Sequence, residues 1–136
     1  MSGRGAALKC RDLVAVAALA AIGCASHATA PVSGPLSGEW GGSQASLVVD
    51  EEGARVEFAC ADGRIDGPIV LDEGRFEAIG PWWPGPVPPN EPLNARYEGR
   101  VSDGLLELVI VAEPDGRSYG PLTLVRDREP TFPRCQ

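Results

Sequence analysis

The side chains of this chain that could do chemistry are mostly carboxylates and cysteines, and their spacing forms no catalytic site. The single histidine, His27, precedes the part that we expect to fold, which excludes Ser-His-Asp and Cys-His sites there. Paired carboxylates could hydrolyse glycosides, but Asp62, Asp66, Asp103 and Asp115 each precede a glycine, which is a turn signal. A metal site would need more ligands than these positions offer. We therefore predict a non-catalytic protein without a metal or another cofactor.

The first 24 residues have the order of an export signal. Arg4, Lys9 and Arg11 provide a positive start, the segment Leu13 to Ile22 is apolar, and small residues follow it. An apolar run of about 10 residues suits a signal peptide, because a membrane-spanning helix needs about 20. We therefore predict that the protein is exported.

The end of this leader, Ala21-Ile22-Gly23-Cys24, resembles the lipobox of bacterial lipoproteins. The resemblance implies that residues 1–23 are a signal peptide and that Cys24 is lipidated. It also implies a lipid anchor in the cell envelope, facing the periplasm or the exterior. The alternative is a secreted protein cleaved after Ala28-Thr29-Ala30, although Pro31 disfavours that cut.

The remaining cysteines predict one disulfide. Cys10 leaves with the leader and Cys24 is expected to carry lipid, so Cys60 and Cys135 are the pair left in an oxidising compartment. Closing so long a loop stabilises a domain by about 4 kcal/mol in the chain-entropy model.

The composition after the leader limits the partners. From Cys24 onward the chain has nine arginines, no lysine and 18 acidic residues, a formal charge of −9. Nucleic acids and anionic membrane surfaces require basic patches, so we expect neither as a partner. Residues 24–37 are small, polar and interrupted by proline and glycine, which predicts a flexible tether. Residues 38–136 then form one domain.

Short alternating segments predict that this domain is all-β. Val56, Phe58 and Cys60 would share one face of a strand, and repeated acidic-glycine pairs mark hairpin turns. The pattern predicts about seven or eight strands. Antiparallel hairpins of this number close into an up-and-down β-barrel, with a β-sandwich as the alternative.

Two further resemblances are present. Gly38-Glu39-Trp40 in the first strand and Arg126 after the last resemble the lipocalin and avidin-like calycin barrels, in which such an arginine stacks on the tryptophan. A longer pattern is similar to a group of small exported bacterial lipoproteins of unassigned activity. Its residues are Gly38-x-Trp40-Gly41-Gly42, Val56-Glu57-Phe58-x-Cys60, Gly74-Arg75-Phe76, Ala95-Arg96-Tyr97-x-Gly99-Arg100-Val101 and Cys135.

Residues 81–92 form the most unusual segment, because six of the twelve are proline. Proline is excluded from sheet interiors, so we expect an extended loop. Within it, Trp82 and Trp83 either fold back to cap the barrel or face a partner.

Two functions from different classes follow. The first is a binding module for a small apolar ligand, for which the candidate lining residues are Trp40, Phe58, Phe76, Trp82, Trp83, Tyr97 and Arg126. The second is an envelope protein that binds or inhibits another protein through the Pro/Trp loop 81–92. A purely structural lipoprotein is a third interpretation.

Overall fold

The computed structural model describes residues 31–85 and 91–133, which contain ten β-strands and no helix. No helix in this part of the chain is long and apolar enough to cross a membrane. The expectation of an all-β domain is confirmed. The strands are β1 (Gly34–Pro35), β2 (Gly38–Gly41), β3 (Ala45–Val49), β4 (Gly53–Phe58), β5 (Asp62–Asp66), β6 (Val70–Leu71), β7 (Arg75–Trp83), β8 (Leu93–Ser102), β9 (Leu105–Ala112) and β10 (Arg117–Arg126).

Eight of the strands form a closed antiparallel barrel, as the sequence predicts, rather than a sandwich. Its order is β2-β3-β4-β5-β7-β8-β9-β10, and β10 pairs with β2 to close it. Each strand therefore lies beside its neighbour in the chain, except that β6 leaves the barrel and pairs with β1. Closure removes the unpaired edges that an open sheet would expose.

Acidic-glycine pairs make hairpin turns at some of the expected positions but not at all of them. Asp103 and Gly104 have φ of 49° and 74° and connect β8 to β9. Positive φ at both central residues is what a tight hairpin turn requires. The turn expected at Asp62-Gly63 is wrong, since both residues lie inside β5.

The interior of the barrel is filled by alternate side chains of its strands. Trp40, Trp82 and Tyr97 are the largest of them, and each has at most 1% of its surface exposed. The smaller buried side chains between them include Leu47, Val56, Ile65, Leu106, Leu108, Ile110 and Leu124.

The folded unit begins before the boundary that the sequence predicts. Residues 31–37, assigned to a tether, include β1 and the buried side chain of Leu36. The backbone N–H of Leu36 donates to the Ile69 carbonyl at 2.9 Å, and that of Gly74 donates to the Val32 carbonyl at 2.6 Å. Composition alone predicts a flexible linker here, whereas pairing with β6 orders the segment.

The Pro/Trp segment also differs from the prediction. Pro81, Trp82 and Trp83 belong to β7, so they are not part of a loop. The connection to β8 starts after Trp83, and its residues 86–90 lie outside the described part of the chain. The predicted signal peptide 1–23, with Cys10, and the residues Cys24, His27 and Cys135 also lie outside the described part.

Candidate functional site

The residues expected to bind a ligand do not form one site. Phe76, Trp82 and Tyr97 point into the barrel and are buried, as is Trp40. Arg126 is exposed at the end of β10, and Trp83 faces outward from β7 with part of its ring accessible.

The expected contact between Trp40 and Arg126 is present. The two residues are register partners on β2 and β10, and Arg126 Cζ lies 5.5 Å from the centroid of the Trp40 ring. This distance is within cation–π range. The guanidinium therefore covers the indole at the seam that closes the barrel.

Trp82 lies in an aromatic cluster inside the barrel. Its ring is 5.3 Å from Phe58 in an edge-to-face arrangement and 5.2 Å from Tyr119. Its Nε1–H finds no acceptor among the described residues, and neither does that of Trp40. Trp82 therefore packs inside the barrel and does not face a partner, which is one of the two interpretations of Trp82 and Trp83.

Tyr97 joins β5 to β7 at a gap in their ladder. Register pairing between these strands covers only Asp62 with Trp83 and Gly63 with Trp82. At the next position Pro81 has no N–H to donate. The Tyr97 hydroxyl lies in this gap and donates to the Pro81 carbonyl at 2.7 Å.

The environment of this hydroxyl is mostly apolar. Burial raises the pKa of Tyr97 well above its ordinary value, and a backbone hydrogen bond from Arg64 partly opposes the shift. A Cβ at Gly63 would overlap the Tyr97 hydroxyl and the Trp82 ring, so glycine is required there. The hydroxyl is therefore a structural group inside the wall of the barrel.

The accessible tryptophan lies on an outer surface that we call the Trp83 groove. It crosses β3, β4, β5 and β7, and the outward side chains on it alternate with the buried residues of the core. Its lining comprises Val48, Asp50, Glu52, Gly53, Ala54, Arg55, Glu57, Asp62, Gly63, Arg64, Ile65, Asp66 and Trp83.

Charges of one sign lie directly opposite each other in this groove. Glu57 faces Asp62 across β4 and β5, and Arg55 faces Arg64 one row further along. Within each strand the charges form ion pairs, Arg55–Glu57 at 3.2 Å and Arg64–Asp66 at 2.9 Å. Arg64 Cζ also lies 5.9 Å from the centroid of the Trp83 ring.

Sequence reasoning missed the residues that β5 contributes to this groove. Asp62, Arg64 and Asp66 are exposed, and they alternate with the buried Gly63 and Ile65. That alternation is a strand signal. The alternation was overlooked because Asp62 and Asp66 each precede a glycine, which is a turn signal.

No group of three or more metal-binding side chains exists within residues 31–85 and 91–133. Comparisons of the chain with models of protein families, with curated proteins and with solved structures found no match. The class of protein is therefore defined by its own geometry, a small closed barrel of eight antiparallel strands.

Proposed function

We propose that the chain is an exported, lipid-anchored and non-catalytic module of the bacterial cell envelope that binds another protein. The contact surface is the Trp83 groove, which contains Trp83 of the segment 81–92. The observation that carries this proposal is the filled interior of the barrel, which leaves the outer surface for recognition.

The filled interior disfavours the small-ligand interpretation. A space large enough for a ligand would leave accessible surface on the side chains that line it. Leu47, Val56, Leu106, Leu108 and Ile110 have no accessible surface at all. Trp83 remains partly accessible, and tryptophan is enriched where proteins bind each other.

The contact with a partner is tested by photocrosslinking in living cells, with benzoylphenylalanine in place of one exposed valine. Val48 lies in the groove and is 46% exposed, whereas Val70 lies on β6 and is 60% exposed. We expect a defined adduct from position 48 and none from the matched control at position 70. Equal adducts from both positions, or none from position 48, would contradict the proposal.

The lipid anchor is part of the proposal and rests on the leader. Incorporation of labelled palmitate should be lost in Cys24→Ser and retained in Cys60→Ser. A Cys24→Ser protein that still carries the label would rule out the lipobox interpretation.

A Cys60–Cys135 disulfide also belongs to the proposal, and the path of the chain supports it. The backbone N–H of Thr131 donates to the Gly42 carbonyl at 3.1 Å, and Gly42 adjoins Ala45, the register partner of Phe58. Cys60 follows Phe58 by two residues. Thr131, which precedes Cys135 by four residues, thus lies at the same end of the barrel as the end of β4.

A further inference from the structure

We propose that the Trp83 groove binds a cationic segment of polypeptide, with an arginine or lysine side chain seated between Asp62 and Trp83. This inference rests on the proposed function and names the chemistry of the partner.

Charge complementarity is the first argument. The lining carries five carboxylates, Asp50, Glu52, Glu57, Asp62 and Asp66, against two arginines. Both arginines already form ion pairs, so the groove keeps an excess of negative charge. A cationic segment compensates this excess, and an anionic one is repelled.

The row formed by Glu57, Asp62 and Trp83 is the second argument. Glu57 is the register partner of Asp62, and Asp62 is the register partner of Trp83, so the three lie side by side on neighbouring strands. Like charges directly opposite each other destabilise a sheet. Arg55 already pairs with Glu57, so a cation over this row meets the carboxylate of Asp62 and also contacts the face of the indole.

The surroundings of Trp83 make its ring available to a cation. Arg64 approaches it only to 5.9 Å, close to the outer limit of about 6 Å for a cation–π contact. Val48, on the far side of the groove, is an apolar surface for a different side chain of the same segment.

The width of the groove determines the length of the segment. Four strands at a spacing of about 4.8 Å extend over about 14 Å, which equals about four residues of extended chain. A tetrapeptide is therefore the appropriate probe.

A second acidic groove on the barrel provides a matched control. It is lined by Asp72, Glu73, Glu77, Glu98 and Glu107 with Arg75 and Arg100, so its balance of charge equals that of the Trp83 groove. Its aromatic residue, Phe76, is only 8% exposed. Attraction by net charge alone would act on both grooves equally, whereas recognition through an indole requires the Trp83 groove.

The experiment measures binding of N-acetylated, C-amidated tetra-arginine to the mature protein by calorimetry at low salt, with tetraglutamate for comparison. We expect tetra-arginine to bind and to change tryptophan fluorescence, because Trp83 is accessible. Asp62→Asn and Trp83→Leu should each weaken binding by about tenfold, and Glu77→Gln by less than about twofold.

Far-UV circular dichroism first establishes that each variant is folded, and Trp83→Phe replaces Trp83→Leu if the latter unfolds. Absence of binding to tetra-arginine would overturn the inference, as would equal losses in Asp62→Asn and Glu77→Gln. A crosslink at position 48 without peptide binding would leave the proposed function standing and remove only the cationic partner. Absence of both the crosslink and the peptide binding would overturn the proposed function together with the cationic partner.

Discussion

The hydroxyl of Tyr97 donates a 2.7 Å hydrogen bond to the carbonyl oxygen of Pro81, at the point where the ladder between β5 and β7 stops. Tyr97 belongs to β8, so its ring passes along the inside of β7 to reach this gap. One side chain of β8 thus satisfies a carbonyl of β7 beyond the end of the ladder, and the same hydroxyl contacts the backbone of Arg64 on β5.

Loss of this hydroxyl should destabilise the whole barrel. Tyr97→Phe leaves the partly buried carbonyl of Pro81 without its donor, which costs about 1–3 kcal/mol. Urea denaturation measures the change in the free energy of unfolding. Tyr119→Phe, which alters a partly exposed tyrosine, is the control and should change stability by less than about 0.5 kcal/mol. Equal effects in the two variants would contradict the role given to Tyr97.

The same group predicts a loss of stability at alkaline pH. Burial raises the pKa of Tyr97 in the folded state above the ordinary tyrosine value of 10.0. Above that pH the unfolded chain loses the proton first, so the folded state binds more protons and its stability falls as pH rises. We expect this decrease to be steeper in the natural protein than in Tyr97→Phe, as measured by denaturant midpoints from pH 9 to 11. Parallel profiles would refute the assignment.

Gly99 should tolerate no larger residue, because its register partner Phe76 lies over it. A Cβ at Gly99 would overlap the Phe76 ring. Gly99→Ala should therefore cost about 1–3 kcal/mol through overpacking. In a Phe76→Leu background the same change should cost clearly less, and a double-mutant cycle measures the difference. An unchanged cost in that background would show that the ring is not responsible.

Residues before the barrel should contribute to its stability. Leu36→Ala removes a side chain that is 6% exposed, and such truncations cost about 2–5 kcal/mol. Val32→Ala, which alters a side chain that is 47% exposed, serves as the control, with an expected change below about 0.5 kcal/mol. Thermal unfolding of both variants separates a docked segment from a free tether. If residues 31–37 were a free tether, both substitutions would change the stability by small and similar amounts.

The proposed disulfide predicts matched effects of its two cysteines. Cys60→Ser and Cys135→Ser should each lower the free energy of unfolding by about 4 kcal/mol, and the double variant by no more than either alone. Denaturation with and without reductant checks this. The pairing is supported if the reductant lowers the stability of the natural protein but not that of the variants. Additive losses of stability in the double variant would contradict it.

The barrel could be predicted because its determinants are local. Alternation of apolar and polar residues and the Asp103-Gly104 hairpin depend on nearest neighbours along the chain, so they can be read without a structure. The prediction of an export signal that ends at Cys24 rests on neighbouring residues in the same way.

The Trp83 groove could not be predicted, because its residues meet only when strands pair. Local rules assigned Asp62-Gly63 to a turn and Pro81 to a loop, and both assignments failed for one reason. Tyr97, which is distant along the chain, fills the space above Gly63 and bonds the Pro81 carbonyl. The sequence by itself determined the strands and the acidic composition, and it predicts export. Only the closed barrel decided which tryptophan is buried and which faces outward, since the face of a strand depends on the register set by its neighbours.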